Sequence, residues 1–375
     1  MSEVSTNSST SRGLTATAAV LPGLGEKLQI REITLFDPEP DQVVVRLVAS
    51  GICHSDLSVI RGTFPFFFPT VLGHEGSGIV ESVGESVSRV KQGDHVVLTW
   101  MPPCRHCAAC LAGQTVLCDV GLGKAISSPY ATLDGVAIIR GLGVAGFATH
   151  TMVDEASVIP IPKDADMELA ALIGCALSTG LGAVFNTAHV APGSSVAVVG
   201  SGGVGLSVIQ GARIAGASKI IAVDKLAPKL ELAKTMGATD AVNASEVEPV
   251  AAVKELTNGR GADYTFEVVG IGATIKQAYS MARRGGTVVL VGAGADDDQV
   301  SFTAMELFLD AKTMVGCVYG STDPDRDFPM LVDMIQSGAI DARSLITKRI
   351  KLEDINDALA EMEAGVGARS VVVYE

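Results

Sequence analysis

Positive charge is scarce in this 375-residue sequence: 28 lysines and arginines stand against 42 acidic residues, a formal net charge of −14. A surface of that sign repels phosphate backbones and anionic lipid, which argues against nucleic acid and membrane surfaces as partners. Uninterrupted apolar runs are also missing. The longest apolar stretch, Leu169 to Phe185, is broken by Gly, Cys, Ser and Thr and lacks charged flanks, so it reads as a buried helix rather than a membrane span. The first dozen residues, MSEVSTNSSTSR, hold no apolar core of a secretory leader, and a cytoplasmic location is the default expectation. Charged residues make up only 19% against 47% hydrophobic, which excludes disorder for most of the chain. The length suits two or three domains at roughly 150 residues each.

What the sequence does hold is glycine, 41 residues, and clustered cysteine. Four of its seven cysteines, Cys104, Cys107, Cys110 and Cys118, crowd into one short segment. In a long, acidic chain such crowding points to a metal rather than to a disulfide framework. Four thiolates at that spacing can all reach one tetrahedral zinc ion at about 2.3 Å and close the site. His106 lies inside the cluster, but four sulfurs leave it no ligand position.

From Leu14 to about Pro162 short β-rich runs alternate with Gly, Pro and Asp turns, which predicts a barrel or sandwich. After Pro192 the rhythm becomes strand, helix, strand, the pattern of a parallel sheet with crossover helices. The last segment, beyond about residue 320, lacks that rhythm and is expected to return to the first domain. A disordered tail is expected over 1–13.

An apolar strand runs directly into Gly200, Ser201, Gly202, Gly203, Val204 and Gly205, a helix pattern follows, and the next strand ends at Asp224. A lone glycine motif is weak, but strand, helix and acid together make a mononucleotide-binding unit. Gly200 permits the tight turn, Gly202 the approach of a pyrophosphate, and Gly205 close packing of helix on strand. Asp224 can accept hydrogen bonds from an adenosine ribose and would repel a 2′-phosphate, which favours NAD over NADP; adjacent Lys225 softens that preference. Cys53, His74, Glu75 and Cys175 mean little singly. Cys, His and Cys are nonetheless the ligand set of an open zinc site that keeps a fourth position for substrate.

GHEGSG, the C-x2-C-x2-C-x7-C lobe, LIGCALSTG and GSGGVG occur in an order and spacing that closely resemble the zinc-dependent alcohol dehydrogenases of the medium-chain dehydrogenase/reductase superfamily, from about Thr15 to the C-terminus. LIGCALSTG looks most like the branch of liver-type alcohol dehydrogenases and thiol-dependent formaldehyde dehydrogenases. The polyol dehydrogenases carry a carboxylate where Cys175 stands.

The resemblance implies an α/β protein in which a GroES-like β-barrel catalytic domain, 14–180 and 320–375, encloses a doubly wound Rossmann domain, 181–319. It implies two zinc ions per subunit and NAD. Cys53, His74 and Cys175 would hold the catalytic zinc beside Glu75, while the four clustered cysteines would hold a structural one. His54 and Arg369 would meet the pyrophosphate, Thr179 the nicotinamide, and Asp224 and Lys229 the ribose, with Val269 and Val291 along the nucleotide. Ser55 would take the alcohol proton. The family's terminal histidine is replaced here by Ser58, which leaves His54 or water to end the relay.

Trp100 and Phe147 would wall the substrate pocket and favour primary alcohols. The implied activity is reversible hydride transfer between an alcohol and NAD in a homodimer, or a tetramer. Alternatives are a mycothiol- or glutathione-dependent formaldehyde dehydrogenase, a nicotinoprotein with tightly held NAD, and a non-catalytic zinc and nucleotide binder. Leu122, where the glutathione branch has an arginine, speaks against the glutathione version.

Overall fold

The structure, a computed structural model, describes residues 13–375; all but Gly13 of the expected tail lies outside them. The chain adopts the expected α/β class: a closed barrel, a mixed sheet beside it, and a doubly wound parallel sheet.

Thr15–Leu21, Gln29–Leu35, Pro129–Leu133, Val136–Arg140 and Thr70–Val71 close the barrel. The second sheet is built on Gln42–Gly51, which pairs antiparallel with Glu75–Val83, His150–Asp154 and Arg369–Val373. In this ladder Gly51 lies opposite Glu75 and Val371 lies opposite Gly51, so the last strand of the chain rejoins the first half.

The parallel sheet runs in the order Asp240–Asn243, Lys219–Asp224, Ser195–Val199, Ala262–Glu267, Ala282–Leu290, Thr313–Gly316. Strands such as Ser195–Val199 (SVAVV) are buried on both faces by crossover helices, which is why they read as continuous apolar runs instead of alternating ones. The strand order reverses between Ser195–Val199 and Ala262–Glu267, and ligands of open α/β sheets bind in the crevice at such a point.

No single helix among the described residues is long and apolar enough to cross a membrane. The apolar stretch around Cys175 forms two buried pieces, Met167–Gly174 and Ala176–Thr187, bent by 57°. Cys175 occupies the corner, with φ −151° and ψ −65°. The bend brings its side chain to the Gly51–Glu75 end of the second sheet, and Gly174 packs there tightly, where a Cβ would stand 3.0 Å from Cα of Glu75 and 3.1 Å from the carbonyl of Leu98.

Candidate active site and metal centres

Ligand atoms of Cys53, His74, Glu75 and Cys175 all lie within 4.8 Å of one another, and all four residues are buried. The sheet register explains the convergence. Cys53 follows Gly51, His74 precedes Glu75, and Gly51 and Glu75 are ladder partners. Gly51 is required there, because a Cβ would stand 1.9 Å from Oε2 of Glu75.

Asp56 organises the cluster. Fully buried, it accepts from the backbone N–H of Cys53 at 3.1 Å and of Gly73 at 3.0 Å, and its Oδ1 lies 3.3 Å from Nδ1 of His74. A carboxylate at Nδ1 holds the proton there and turns Nε2 towards the sulfurs as an acceptor. That Nε2 is buried without a hydrogen-bond partner among the described residues, a costly arrangement unless a metal fills it. Two cysteines and a histidine so disposed suit zinc with an open fourth position. The one sign of Asp56 in the sequence is an acid three residues past Cys53, the spacing of a capping box on helix His54–Arg61.

Glu75 is fully buried, and its Oε1 lies 3.1 Å from Nη2 of Arg369. Burial pushes its carboxyl up to about 7, against the pull of that guanidinium. Arg369 also donates to the carbonyl of Ile52 at 2.8 Å, and its Nε stands beside Gly203. One side chain thus links the buried cluster with the glycine turn.

The other pocket candidates take distinct places. Ser55 Oγ lies 3.8 Å from the sulfur of Cys53, and Thr179 Oγ1 lies 3.9 Å from that of Cys175. Ser58 donates to the carbonyl of His54 at 3.2 Å, while His54 itself is exposed at the helix start. Trp100 meets the ring of His74 edge-on at 6.1 Å. Phe147 is fully buried against Gly73 and backs the loop that carries His74.

The four sulfurs of Cys104, Cys107, Cys110 and Cys118 also lie within 4.8 Å of one another. Cys107 and Cys118 are 3.8 Å apart, and Cys104 and Cys110 4.0 Å. Sulfurs at about 2.3 Å from a tetrahedral centre would be separated by about 3.8 Å, so the lobe has the dimensions of a closed zinc site. Backbone N–H groups of Cys107 and Cys110 donate to the sulfurs of Cys104 and Cys107, and those of Cys104 and Gly121 to the sulfur of Cys118. His106 is exposed and bonds to the carbonyl of Cys104. The lobe docks through Arg105 on Asp323 and Asp325, and through Thr115 on the carbonyl of Thr322.

At the switch point Gly200 has φ +100°. A Cβ on Gly205 would stand 1.9 Å from the carbonyl of Gly200, whereas one on Gly202 would meet nothing within 4 Å. The turn is therefore tight towards the sheet and open towards solvent at the start of helix Gly203–Ile214, a cradle for phosphate. Val204 is half-buried in the first turn of that helix. Asp224 accepts from the N–H of Ser201 at 2.7 Å and of Leu226 at 3.0 Å, with lone pairs left for a diol. Lys229 and Val291 are half-buried, Val269 is exposed, and Lys225 is exposed beside Asp224. Gly205→Ala is expected to weaken NAD binding about tenfold or more, because overpacking of this kind costs about 1–3 kcal/mol. A fluorescence titration with NADH checks it, and an unchanged Kd would remove the role given to this glycine.

Two family models match the chain: "Alcohol dehydrogenase GroES-like domain" over residues 39–163 and "Zinc-binding dehydrogenase" over 203–337. The S-(hydroxymethyl)glutathione dehydrogenase of a Synechocystis species is 38% identical over 366 residues, covering 95% of this chain and 99% of that one. The class-3 alcohol dehydrogenase of Cereibacter sphaeroides is 37% identical at the same coverage. Among solved structures, benzyl alcohol dehydrogenase from Acinetobacter calcoaceticus superposes with a TM-score of 0.90 at 34% identity, covering 96% of this chain and all of that one. A zinc-binding alcohol dehydrogenase domain protein from Burkholderia ambifaria gives 0.91 at 36%, covering 96% and 99%.

Proposed function

Because the chain belongs to the zinc-dependent alcohol dehydrogenase family of the medium-chain dehydrogenases, we propose that it oxidises a primary alcohol with NAD, reversibly, at the Cys53–His74–Cys175 centre. The observation that carries this reading is the orphaned Nε2 of His74 facing two buried thiols.

When bound, zinc would supply a Lewis acid that lowers the pKa of an oxygen it holds, bringing that of water down to about 7. Cys53, His74 and Cys175 would hold the ion, and Asp56 fixes the orientation of the His74 imidazole. Ser55 accepts the alcohol's proton as its own hydroxyl proton leaves. Ser58 is committed to a backbone carbonyl and offers no titrating group, so exposed His54 or solvent receives that proton. Trp100 narrows the space beside His74 and excludes bulky secondary alcohols. Asp224 would hold the ribose of a dinucleotide, and the helix start after the glycine turn, with Arg369 and His54, would hold its pyrophosphate. Cys104, Cys107, Cys110 and Cys118 would hold a second zinc ion. The barrel with the mixed sheet, 14–180 and 320–375, forms the catalytic domain, and 181–319 the nucleotide domain.

Two copies pair through Thr313–Gly316, the edge strand of the parallel sheet. Its neighbourhood exposes Met305, Leu307, Phe308, Leu309 and Met314, an apolar surface that a partner would cover. Seven unpaired cysteines suit a reducing compartment, and a cytoplasmic location is proposed with it.

A second reading, oxidation of a hydroxymethyl-thiol adduct, draws on the names of the relatives. Leu122 packs half-buried against the core and offers no charge to a thiol's carboxylate. Steady-state kinetics over primary and secondary alcohols with NAD and NADP, with formaldehyde plus glutathione or mycothiol as further arms, separates the two. We expect the highest kcat/KM with NAD and a simple primary alcohol. A requirement for either thiol would replace this reading with the second.

A further inference from the structure

Tyr319 lies where the chain leaves the parallel sheet after Thr313–Gly316 and turns back towards helix Pro324–Gln336. Tyr319, Gly320 and Ser321 take φ values of +50°, +69° and +48° in succession. Such a conformation is strained for tyrosine and serine and persists only where the surroundings impose it.

The surroundings are specific. The buried phenol donates to the carbonyl of Gly174 at 2.5 Å, and Thr99 Oγ1 lies 3.3 Å from the same phenol oxygen. The N–H of Met101 donates to Thr99 Oγ1 at 3.3 Å. A phenol has one proton to give, and Gly174 receives it, so the threonine hydroxyl must donate to the phenol. The result is a one-way chain of buried hydrogen bonds from Met101 through Thr99 and Tyr319 to Gly174, each polarising the next.

Three parts of the proposed site meet on this chain. Trp100 sits between Thr99 and Met101, and its ring lies 5.0 Å from that of Tyr319. Gly174 immediately precedes Cys175, whose φ and ψ belong to neither helix nor strand, so the orientation of the Gly174 peptide sets where the Cys175 sulfur points. The turn also docks on helix Ala176–Gly182, where a Cβ on Gly320 would stand 2.2 Å from the carbonyl of Ser178.

We infer that Tyr319 is a positioning residue: its hydroxyl, backed by Thr99, holds the Gly174 carbonyl and thereby aims the sulfur of Cys175 at the metal, while its ring sets the plane of Trp100. The inference rests on the reading of Cys175 as a zinc ligand.

Tyr319→Phe keeps the ring and removes the hydroxyl, which leaves the Thr99 hydroxyl proton without its acceptor and the buried Gly174 carbonyl without its donor. Adding Thr99→Val removes that stranded hydroxyl and, with it, the acceptor of the Met101 N–H, while Gly174 still lacks its donor. If the hydroxyl served packing alone, activity would recover together with the melting temperature in the double variant.

The experiment loads wild type, Tyr319→Phe and the double variant with cobalt(II) in place of zinc, and records the visible bands and the rate of metal loss to a chelator. The zinc forms supply kcat, KM and melting temperature. We expect shifted cobalt bands and faster metal loss in both variants. The fall in kcat should be about ten- to a hundredfold, the scale of a misplaced reacting group, with KM for NAD unchanged. Bands and kcat like wild type in Tyr319→Phe, or their recovery in the double variant, overturn the inference. A wild-type chain without thiolate–cobalt bands from the Cys53–His74–Cys175 centre overturns the zinc reading and this inference with it. Wild-type bands that Tyr319→Phe leaves unmoved overturn the inference alone.

Discussion

Cys175→Ala is expected to remove alcohol oxidation, with kcat/KM falling at least about a thousandfold, while the protein stays folded. The residue sits at the corner between two buried helical pieces, and its sulfur makes no contact that the fold needs: its near neighbours are Thr179 and the other members of the cluster. Alanine fits that corner without bulk. What disappears is one of three ligands, and with it the ion that would activate the alcohol. Zinc content measured by atomic emission should drop by one ion per chain, and any ion held by Cys104, Cys107, Cys110 and Cys118 should remain. A melting temperature within a few degrees of wild type would accompany the loss. Retention of the wild-type zinc content and of activity in Cys175→Ala would sink the assignment of the catalytic centre.

Cys118→Ala should behave in the opposite way. Its sulfur lies 3.8 Å from that of Cys107 and accepts from the N–H groups of Cys104 and Gly121, so it anchors both ends of the lobe. Structural zinc in small modules is worth about 10–16 kcal/mol, and the part of the lobe around helix Ala108–Leu111 has no buried residue of its own, with Leu111 exposed. Losing the ion should open the segment between Cys104 and Cys118. Through Arg105 and Thr115 it should also release the turn at 322–325. We expect a melting temperature lower by about 10 °C or more and rapid proteolysis within the lobe. The catalytic centre keeps its own ligands and should retain one zinc ion. A Cys118→Ala protein as heat-stable and protease-resistant as wild type would mean that the cluster is not a structural metal site.

The two variants separate local from distant convergence, and the same distinction governs what could be read in advance. The four-cysteine lobe is legible in the sequence because its ligands are close along the chain, and the loop between them can close on one ion without help from the rest of the fold. The glycine turn is legible for a similar reason: strand, turn and helix are consecutive, and the roles of Gly200 and Gly205 are backbone requirements of that one unit. Strand and helix alternation after Pro192 likewise announced a parallel sheet, since burial on both faces leaves its mark on each strand separately.

The tertiary structure decided what depends on register. Cys53, His74 and Cys175 carry no shared local pattern, and family resemblance alone grouped them. The pairing of Gly51 with Glu75 and the 57° bend at Cys175 bring their atoms together. Asp56 gains meaning only when the loop at Gly73 and His74 is laid against it. Arg369 is an unremarkable basic residue near the C-terminus until the last strand pairs with Gln42–Gly51 and places it between Glu75 and Gly203. Tyr319 reads as an ordinary strand-end aromatic until its hydroxyl meets Gly174. A short segment carries its own backbone and spacing constraints, so those are written in the sequence. Side chains far apart in the chain meet at distances set by sheet pairing and helix packing, and these depend on all the residues that make the core.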